Sequence, residues 1–274
     1  MISIIIPAYN SGGSIGRAIA SVRAQSCTDW ELIVVDDGST DNTRAVAKAV
    51  NDPRVKVLYQ TKSGASTARN AGLNIARGDY VTFLDADDTI PGDALELRAE
   101  LLEREPSIDI VHGAVRVFEG ERVVRCVPPD LRRGPLLDRL ARLEEGVFVG
   151  VCYMLRREKI GGFRFPESLT HCEDLAFFLN LAHYADLRYG AVGKVVYEYR
   201  LSPGSAMSNL DGLEAGYLYL LRQVAGMERI SEGDRSFLRR RVERILFRSW
   251  LRRGRPMRAF VSRSLVASAA NGNL

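Results

Sequence analysis

GDYVTFLDADDTIP, residues 78–91, runs from an apolar segment through an acidic turn to a proline. Tyr80 to Leu84 contain one polar side chain, Thr82, and a short apolar run of this kind reads as a strand covered on both faces. Asp85-Ala86-Asp87-Asp88 ends the run, and Pro91 suits the first turn of a following helix. The same unit recurs on the N-terminal side. Ile2–Pro7 precedes a predicted helix over 14–26, Glu31–Asp36 one over 41–50, Val55–Tyr59 one over 64–76, and Tyr80–Asp85 one over 91–104. Four strand–helix repeats predict an α/β protein with a doubly wound, parallel sheet. Ligands of such sheets bind beyond the carboxyl ends of the strands. Pro7-Ala8-Tyr9-Asn10, Asp36-Asp37-Gly38-Ser39 and Asp85-Ala86-Asp87-Asp88 stand there, so carboxylates gather at one edge.

The chain has 274 residues, of which 46% are hydrophobic and 26% charged, enough to bury a core without disulfides or a structural metal. Cys27, Cys126, Cys152 and Cys172 form no C-x-x-C pair, which argues against a zinc ribbon or redox motif and reads as buried free thiols. His171-Cys172-Glu173 echoes the H-x-E of zinc deaminases, but no P-C-x-x-C follows it. No apolar run approaches the ~20 residues of a membrane span, and Met1–Pro7 has no basic flank, so a cytoplasmic protein is expected. Gly12-Gly13-Ser14-Ile15-Gly16 lacks both the dinucleotide fingerprint and the Lys-Ser/Thr of a P-loop. Residues 211–274 hold 13 arginines against 6 acidic residues, a net +7 that leaves −3 of the chain's +4 for residues 1–210. A body that is not basic argues against nucleic acid as a partner.

Phosphate chemistry at an acidic rather than a basic edge calls for a cation. Mg²⁺ and Mn²⁺ take oxygen ligands, commonly one or two carboxylates plus substrate phosphates, and D-x-D on a tight turn supplies them. Taken alone, the same tetrapeptide is as readily a turn whose aspartates cap the next helix.

Several motifs in order resemble the family 2 glycosyltransferases of the GT-A fold: IIIPAYN at 4–10, WELIVVDDGSTDNT at 30–43, SGASTARNAGLNIARGDYVTFLDADD at 63–88, CEDLAFF at 172–178 and YEYRLSPGSAMS at 197–208. The resemblance implies a mixed sheet flanked by helices, with a nucleoside diphosphate sugar, usually UDP-linked, as donor and a divalent metal as cofactor. It implies that Pro7 and Tyr9 meet the base, that Asp37 accepts from it, and that Arg69 lies near the base or diphosphate and orients Asp37. Asp85 would take the ribose or a metal-bound water, Ala86 would line the donor site, Asp87 would ligate the metal, and Asp88 would assist it or cap the next helix. Asp174 would be the general base, with Glu173 positioning the acceptor or holding Asp174. A carboxylate of ordinary pKa would serve, because the attacking hydroxyl becomes acidic only as its new bond forms. Single displacement would invert the anomeric centre. Arg200 would clamp the diphosphate, next to a mobile Ser202-Pro203-Gly204-Ser205 segment. Without the resemblance, Glu173 and Asp174 would read as caps of a helix beginning at Leu175, and His171 as a solvent-facing side chain.

These expectations divide the chain into a catalytic domain at 1–210, with a donor half at 1–105 and an acceptor half at 106–210, and a basic helical extension at 211–274. Strands are expected at Ile108–Val117, Val123–Val127 and Val195–Arg200, and helices at 174–184, 213–227 and 236–251. In the last helix Phe237, Leu238, Val242, Ile245, Leu246 and Trp250 form an apolar stripe among arginines. The stripe suits either peripheral attachment at 236–253 to the inner face of a membrane or packing on protein. The expected activity is transfer of a sugar to a hydroxyl of a glycan or lipid-linked acceptor in cell-surface polysaccharide synthesis. A sugar-phosphate nucleotidyltransferase and a non-catalytic nucleotide-sugar-binding protein are the alternatives. The first of these should carry a basic residue in its first Gly-rich loop, and Asn10–Gly16 has none.

Overall fold

A computed structural model describes residues 1–147, 150–201 and 209–270. The first half follows the expected rhythm: β1 (Ile2–Ala8), α1 (Ile15–Arg23), β2 (Trp30–Asp37), α2 (Thr43–Lys48), β3 (Val55–Gln60), α3 (Ala65–Ile75), β4 (Tyr80–Phe83) and α4 (Ala94–Arg104). The chain continues through β5 (Ile110–Glu119), β6 (Arg122–Val127), β7 (Gly134–Pro135), α5 (Leu137–Ala141), β8 (Met154–Arg156), α6 (Arg157–Ile160), α7 (Glu173–Ala185) and β9 (Arg188–Arg200). Three helices close it: α8 (Leu210–Ala225), α9 (Glu232–Arg252) and α10 (Pro256–Ala270).

The strands form one sheet in the order β3-β2-β1-β4-β8-β5-β9-β7, with β6 paired to β5. β3, β2, β1 and β4 are parallel, as the strand–helix rhythm predicts, whereas β8 runs antiparallel to both β4 and β5. The sheet is therefore mixed. Strand periodicity divides its side chains between two cores. Ile4 and Ile6 of β1 pack with Ile15, Ile19 and Val22 of α1 and with Leu95 and Leu102 of α4. Ile5 joins Ala68 and Leu73 of α3, Phe177 and Phe178 of α7, and the apolar faces of α8–α10 on the other side. At Gly72 of α3 an added Cβ would lie 2.5 Å from Ile5, so only glycine lets this helix sit so close to β1.

Three sequence expectations change. β9 begins at Arg188, earlier than the apolar run from Val195 indicates, because its first half pairs with β5. The three-residue β8 and the helix α10 were not foreseen; the first is too short, and the second too mixed in small residues and arginines, to show a period. The four cysteines are free, but only Cys152 is buried, and Cys126 is exposed on β6.

Most of the apolar stripe of α9 packs on protein. Leu238, Val242, Leu246 and Trp250 are buried in the protein, the first three in the cluster that contains Leu220, Leu221 and Val224 of α8. Phe237, at the start of the same stripe, stays exposed.

Candidate active site

A cleft of about 840 Å³ opens at the carboxyl ends of β1 and β4. Pro7 and Tyr9 line it from the end of β1, Arg17 from α1, Arg69 from α3, Asp85, Ala86 and Asp87 from the turn after β4, and Arg200 from the end of β9. The turn after β4 is built locally. Leu84 donates its N–H to the Ile5 carbonyl at 3.0 Å, the last rung toward β1, and the Asp88 N–H donates to the Asp85 carbonyl at 3.1 Å. That closure presents half-buried Asp85 and Asp87 to the cleft.

Asp88 turns the other way. Its side chain is 1% exposed, accepts from the Tyr197 hydroxyl at 2.8 Å and accepts from the Arg200 backbone N–H at 2.7 Å. Burial, reinforced by the charges of Asp85 and Asp87, pushes its pKa up to about 8. Both oxygens thus bond β9, and the N-cap of α4 is Asp93 rather than Asp88. Tyr197 also accepts the Asp85 N–H at 3.2 Å, and Thr89 exchanges backbone hydrogen bonds with Glu198, so the acidic turn and the end of β9 are tied at several points.

Arg69 is the central cation. Its guanidinium donates to Asp85 at 2.9 Å and to Glu173, at the start of α7, at 3.0 Å. Burial opposes its charge, but the two carboxylates outweigh this and hold it protonated above the ordinary range. Its hydrogen bonds go to Asp85 and Glu173 and not to Asp37, correcting the expectation that it orients Asp37. Asp37 accepts instead from Gln60 at 2.7 Å and from the N–H groups of Ser63 and Gly64, both at 2.8 Å, and thereby fixes the loop that starts α3. The next residue, Asn70, pins Phe165 by a reciprocal pair of hydrogen bonds at 3.0 and 2.8 Å. Phe165 stacks on Phe177 of α7 with ring centroids 4.0 Å apart. One dipeptide of α3 therefore supplies the bridging cation and aligns the helix that carries Glu173.

α7 begins at Glu173 rather than Leu175, with Cys172 at its N-cap in a left-handed conformation. Glu173 and Asp174 lie in its first turn, and neither bonds as a cap in the expected sense: Glu173 is held by Arg69, and among the described residues Asp174 accepts only from its neighbour, the Leu175 N–H, at 2.7 Å. Burial raises the pKa of Asp174 to about 7, with the Glu173 charge adding and the Arg69 charge opposing. An ordinary carboxylate would serve as base; this one is shifted upward by its surroundings. His171 is buried against Gly212 and Gly216 of α8 and bonds Thr170 at 2.9 Å, so it does not face solvent.

Arg200 rests on the β5–β6 turn, donating to the Gly120 carbonyl at 3.1 Å and lying over the Phe118 ring at 4.9 Å. The buried Nε atoms of Arg200 and Arg69 have no hydrogen-bond partner among the described residues. Two cleft arginines with a donor to spare suit an anionic ligand. The expected mobile segment at Ser202-Pro203-Gly204-Ser205 lies outside the described residues. Reading by motif also missed Tyr197 as an anchor, Arg17 just beyond the Gly-rich loop, and Lys62, which donates to the Tyr9 hydroxyl at 2.9 Å and sits over its ring.

No group of three His, Cys, Asp or Glu residues among the described residues can hold a metal by itself. Asp85 and Asp87 do fit a hard cation of the kind that completes its shell with substrate phosphates and water.

A mixed sheet with a carboxylate-lined cleft at its carboxyl edge is the architecture of the GT-A glycosyltransferases. The profile "Glycosyl transferase family 2" matches residues 3–162, and the chain belongs to that family. It is a glycosyltransferase, which sets aside the nucleotidyltransferase and non-catalytic alternatives. It is similar to an uncharacterized glycosyltransferase of Haemophilus influenzae, 37% identical over 66% of this chain and 71% of the relative. It is also similar to WfgD of Escherichia coli, described as a UDP-Glc:alpha-D-GlcNAc-diphosphoundecaprenol beta-1,3-glucosyltransferase, 30% identical over 76% of this chain and 80% of that one. Among solved structures it shares its fold with S. aureus TarS in complex with UDP-GlcNAc, at a TM-score of 0.70 and 23% identity over 91% of this chain and 72% of that one. The mannosyltransferase PcManGT of Pyrobaculum calidifontis, in complex with GDP-Man and Mn²⁺, superposes with a TM-score of 0.66 at 18% identity over 98% and 73%.

Proposed function

We propose that the chain transfers a sugar, with inversion and with the help of a divalent metal, from a UDP-linked donor to a hydroxyl of a glycan or lipid-linked acceptor in cell-surface polysaccharide synthesis. In this reading residues 1–105 hold the donor, 106–210 form the acceptor side, and 211–274 cover one face of the sheet. The observation that carries it is one buried cation, Arg69, shared between Asp85 of the donor turn and Glu173 beside Asp174. Through it, the start of α7, which carries the proposed base, is tied to the first carboxylate of the D-x-D turn.

Asp174 takes the proton of the attacking hydroxyl. Its raised pKa makes it a stronger base than an ordinary carboxylate while leaving about half of it ionised near pH 7. Glu173 is occupied by Arg69 and serves to hold the start of α7. A cation on Asp85 and Asp87 would supply Lewis-acid stabilisation to the departing diphosphate. Arg200 and Arg69 offer their spare donors to the same negative charge, Arg200 from a side chain seated on Phe118. Tyr9, exposed and held by Lys62, offers a face to the base. The UDP named for WfgD and TarS supports a uridine donor, the Mn²⁺ named for PcManGT supports a metal, and the diphosphoundecaprenol acceptor of WfgD supports a lipid-linked one.

Thermal unfolding with UDP, GDP, dTDP or CMP, with and without Mn²⁺, tests the donor assignment. Ligand at 100 times its Kd adds about 2.7 kcal/mol of stability. A rise in Tm with UDP only when Mn²⁺ is present is expected; the absence of a rise with any nucleotide removes the donor-site reading.

A further inference from the structure

The burial of α9's apolar stripe leaves an unexplained surface at the corner where α9 meets α10. From Arg244 to residue 270 there are seven arginines and no acidic residue. Arg258 and Arg263 are paired, to Asp211 and Glu214 and to Glu243. Arg244, Arg248 and Arg252 follow one another at intervals of four on α9, so they share one face, and all three are exposed and without an ion-pair partner among the described residues. Arg255 extends this charge into the turn between the helices.

Apolar side chains stand exposed beside these arginines. Met257, Phe260 and Val261 lie at helical spacing on one face of α10 and are 79%, 58% and 47% exposed, and Leu251 at the end of α9 is 43% exposed. The opposite face of α10, Ala259, Ser262, Val266 and Ala269, is buried. Phe260 meets Phe247 of α9 edge-on at 5.6 Å, which brings the apolar face of α10 alongside the arginine row of α9. Water is a poor solvent for such a face, and no described residue of the chain covers it.

We propose that this corner is a docking surface for an anionic lipid bilayer, with Leu251, Met257, Phe260 and Val261 entering the headgroup boundary and Arg244, Arg248, Arg252 and Arg255 facing lipid phosphates. The pairing of apolar tips with unneutralised arginines selects this occupant. A nucleic acid would satisfy the arginines but leave the aliphatic Leu251, Met257 and Val261 in water, whereas a lipid interface takes both. Since no described helix is long and apolar enough to cross a membrane, attachment is to the surface. The inference does not depend on the sugar transferred or on the base.

The full chain is floated with vesicles of phosphatidylcholine alone and with vesicles containing roughly one-third phosphatidylglycerol. Flotation with the anionic vesicles alone, reduced by high salt, is expected. Two variants with exposed substitutions separate the contributions: Arg244→Glu/Arg248→Glu/Arg252→Glu and Met257→Asp/Val261→Asp. Each should weaken binding by about tenfold or more, given a contribution of about fivefold per basic residue near an anionic surface, while UDP binding and Tm stay as in the parent chain. Failure of the parent chain to float with anionic vesicles overturns the proposal, as does undiminished flotation of both variants. Binding of the parent to single-stranded RNA but not to vesicles would assign the surface to nucleic acid instead and equally overturn it.

Discussion

Asp88 and Asp174 are both carboxyls that burial lifts far above the usual carboxylate range, yet their surroundings give them opposite employment. Asp88 is enclosed, with one oxygen on the Tyr197 hydroxyl and the other on the Arg200 N–H, so nothing from the cleft can reach it. Asp174 is half-buried and accepts one hydrogen bond, from the adjacent backbone. Arg69 raises the contrast, because its two terminal nitrogens donate to Asp85 and Glu173 rather than to Asp174. A raised pKa therefore does not by itself identify a base. The number of hydrogen bonds already accepted, and the presence of a route to substrate, decide between a proton acceptor and a structural tie.

Removing the base should have the largest effect. Asp174→Asn is expected to lower transfer by about 10²–10⁴-fold with donor binding intact, measured as product formation beside calorimetric titration of UDP. Near-normal turnover would sink the assignment. Arg69→Lys comes next: a single ammonium cannot reproduce the forked bridge, so transfer should fall by about 10–100-fold. With the fork lost, the ionised form of Asp174 has less support, and the rise of kcat/KM with pH should move to higher pH.

In the unaltered chain that rise should pass through about pH 7, because only the deprotonated Asp174 accepts a proton. A rise centred near pH 4 would mean that burial does not tune this carboxyl in the working enzyme.

Asp88 supplies a sharper discrimination with a smaller effect. Asp88→Ala should raise donor KM by about tenfold through loss of the anchor on Arg200, costing about 1.4 kcal/mol, while Asp88→Asn, which still accepts from the Arg200 N–H, should recover most of it. If Asp88 were a metal ligand, the asparagine variant would be as impaired as the alanine one and would require more Mn²⁺.

The smallest effect is on stability. The folded-state pKa of Asp174 lies above its unfolded value, so its stabilising contribution is full below about pH 4 and is lost as pH rises through about 7. Asp174→Asn escapes that loss. At pH 8 the variant should unfold a few degrees higher than the parent, equivalent to about 1 kcal/mol, and the difference should shrink toward pH 4 in calorimetry.

The donor half was legible in the sequence because its signals are local. Apolar runs of five to seven residues, each ended by a polar turn, dictate parallel strands and put Tyr9, Asp85 and Asp87 at their carboxyl ends without reference to the rest of the chain. The amphipathic character of α9 was legible for the same reason, since an interval of four places Leu238, Val242, Leu246 and Trp250 on one face. Whether that face meets lipid or protein was not, because both are apolar. Packing against α8 and α10 decided it, and moved the candidate lipid contact to the corner that packing leaves exposed.

The amino-acid order was sufficient for the strand–helix alternation, the acidic turn and the pair Glu173-Asp174, each of which depends on residues within a few positions of one another. The employment of individual acids depended on the tertiary fold. Arg69 and Glu173 are 104 residues apart, and Asp88 and Tyr197 are 109 apart. Burial and long-range hydrogen bonds are properties of neighbours in space, and these alone separate the carboxylates open to the cleft from the one sealed onto β9.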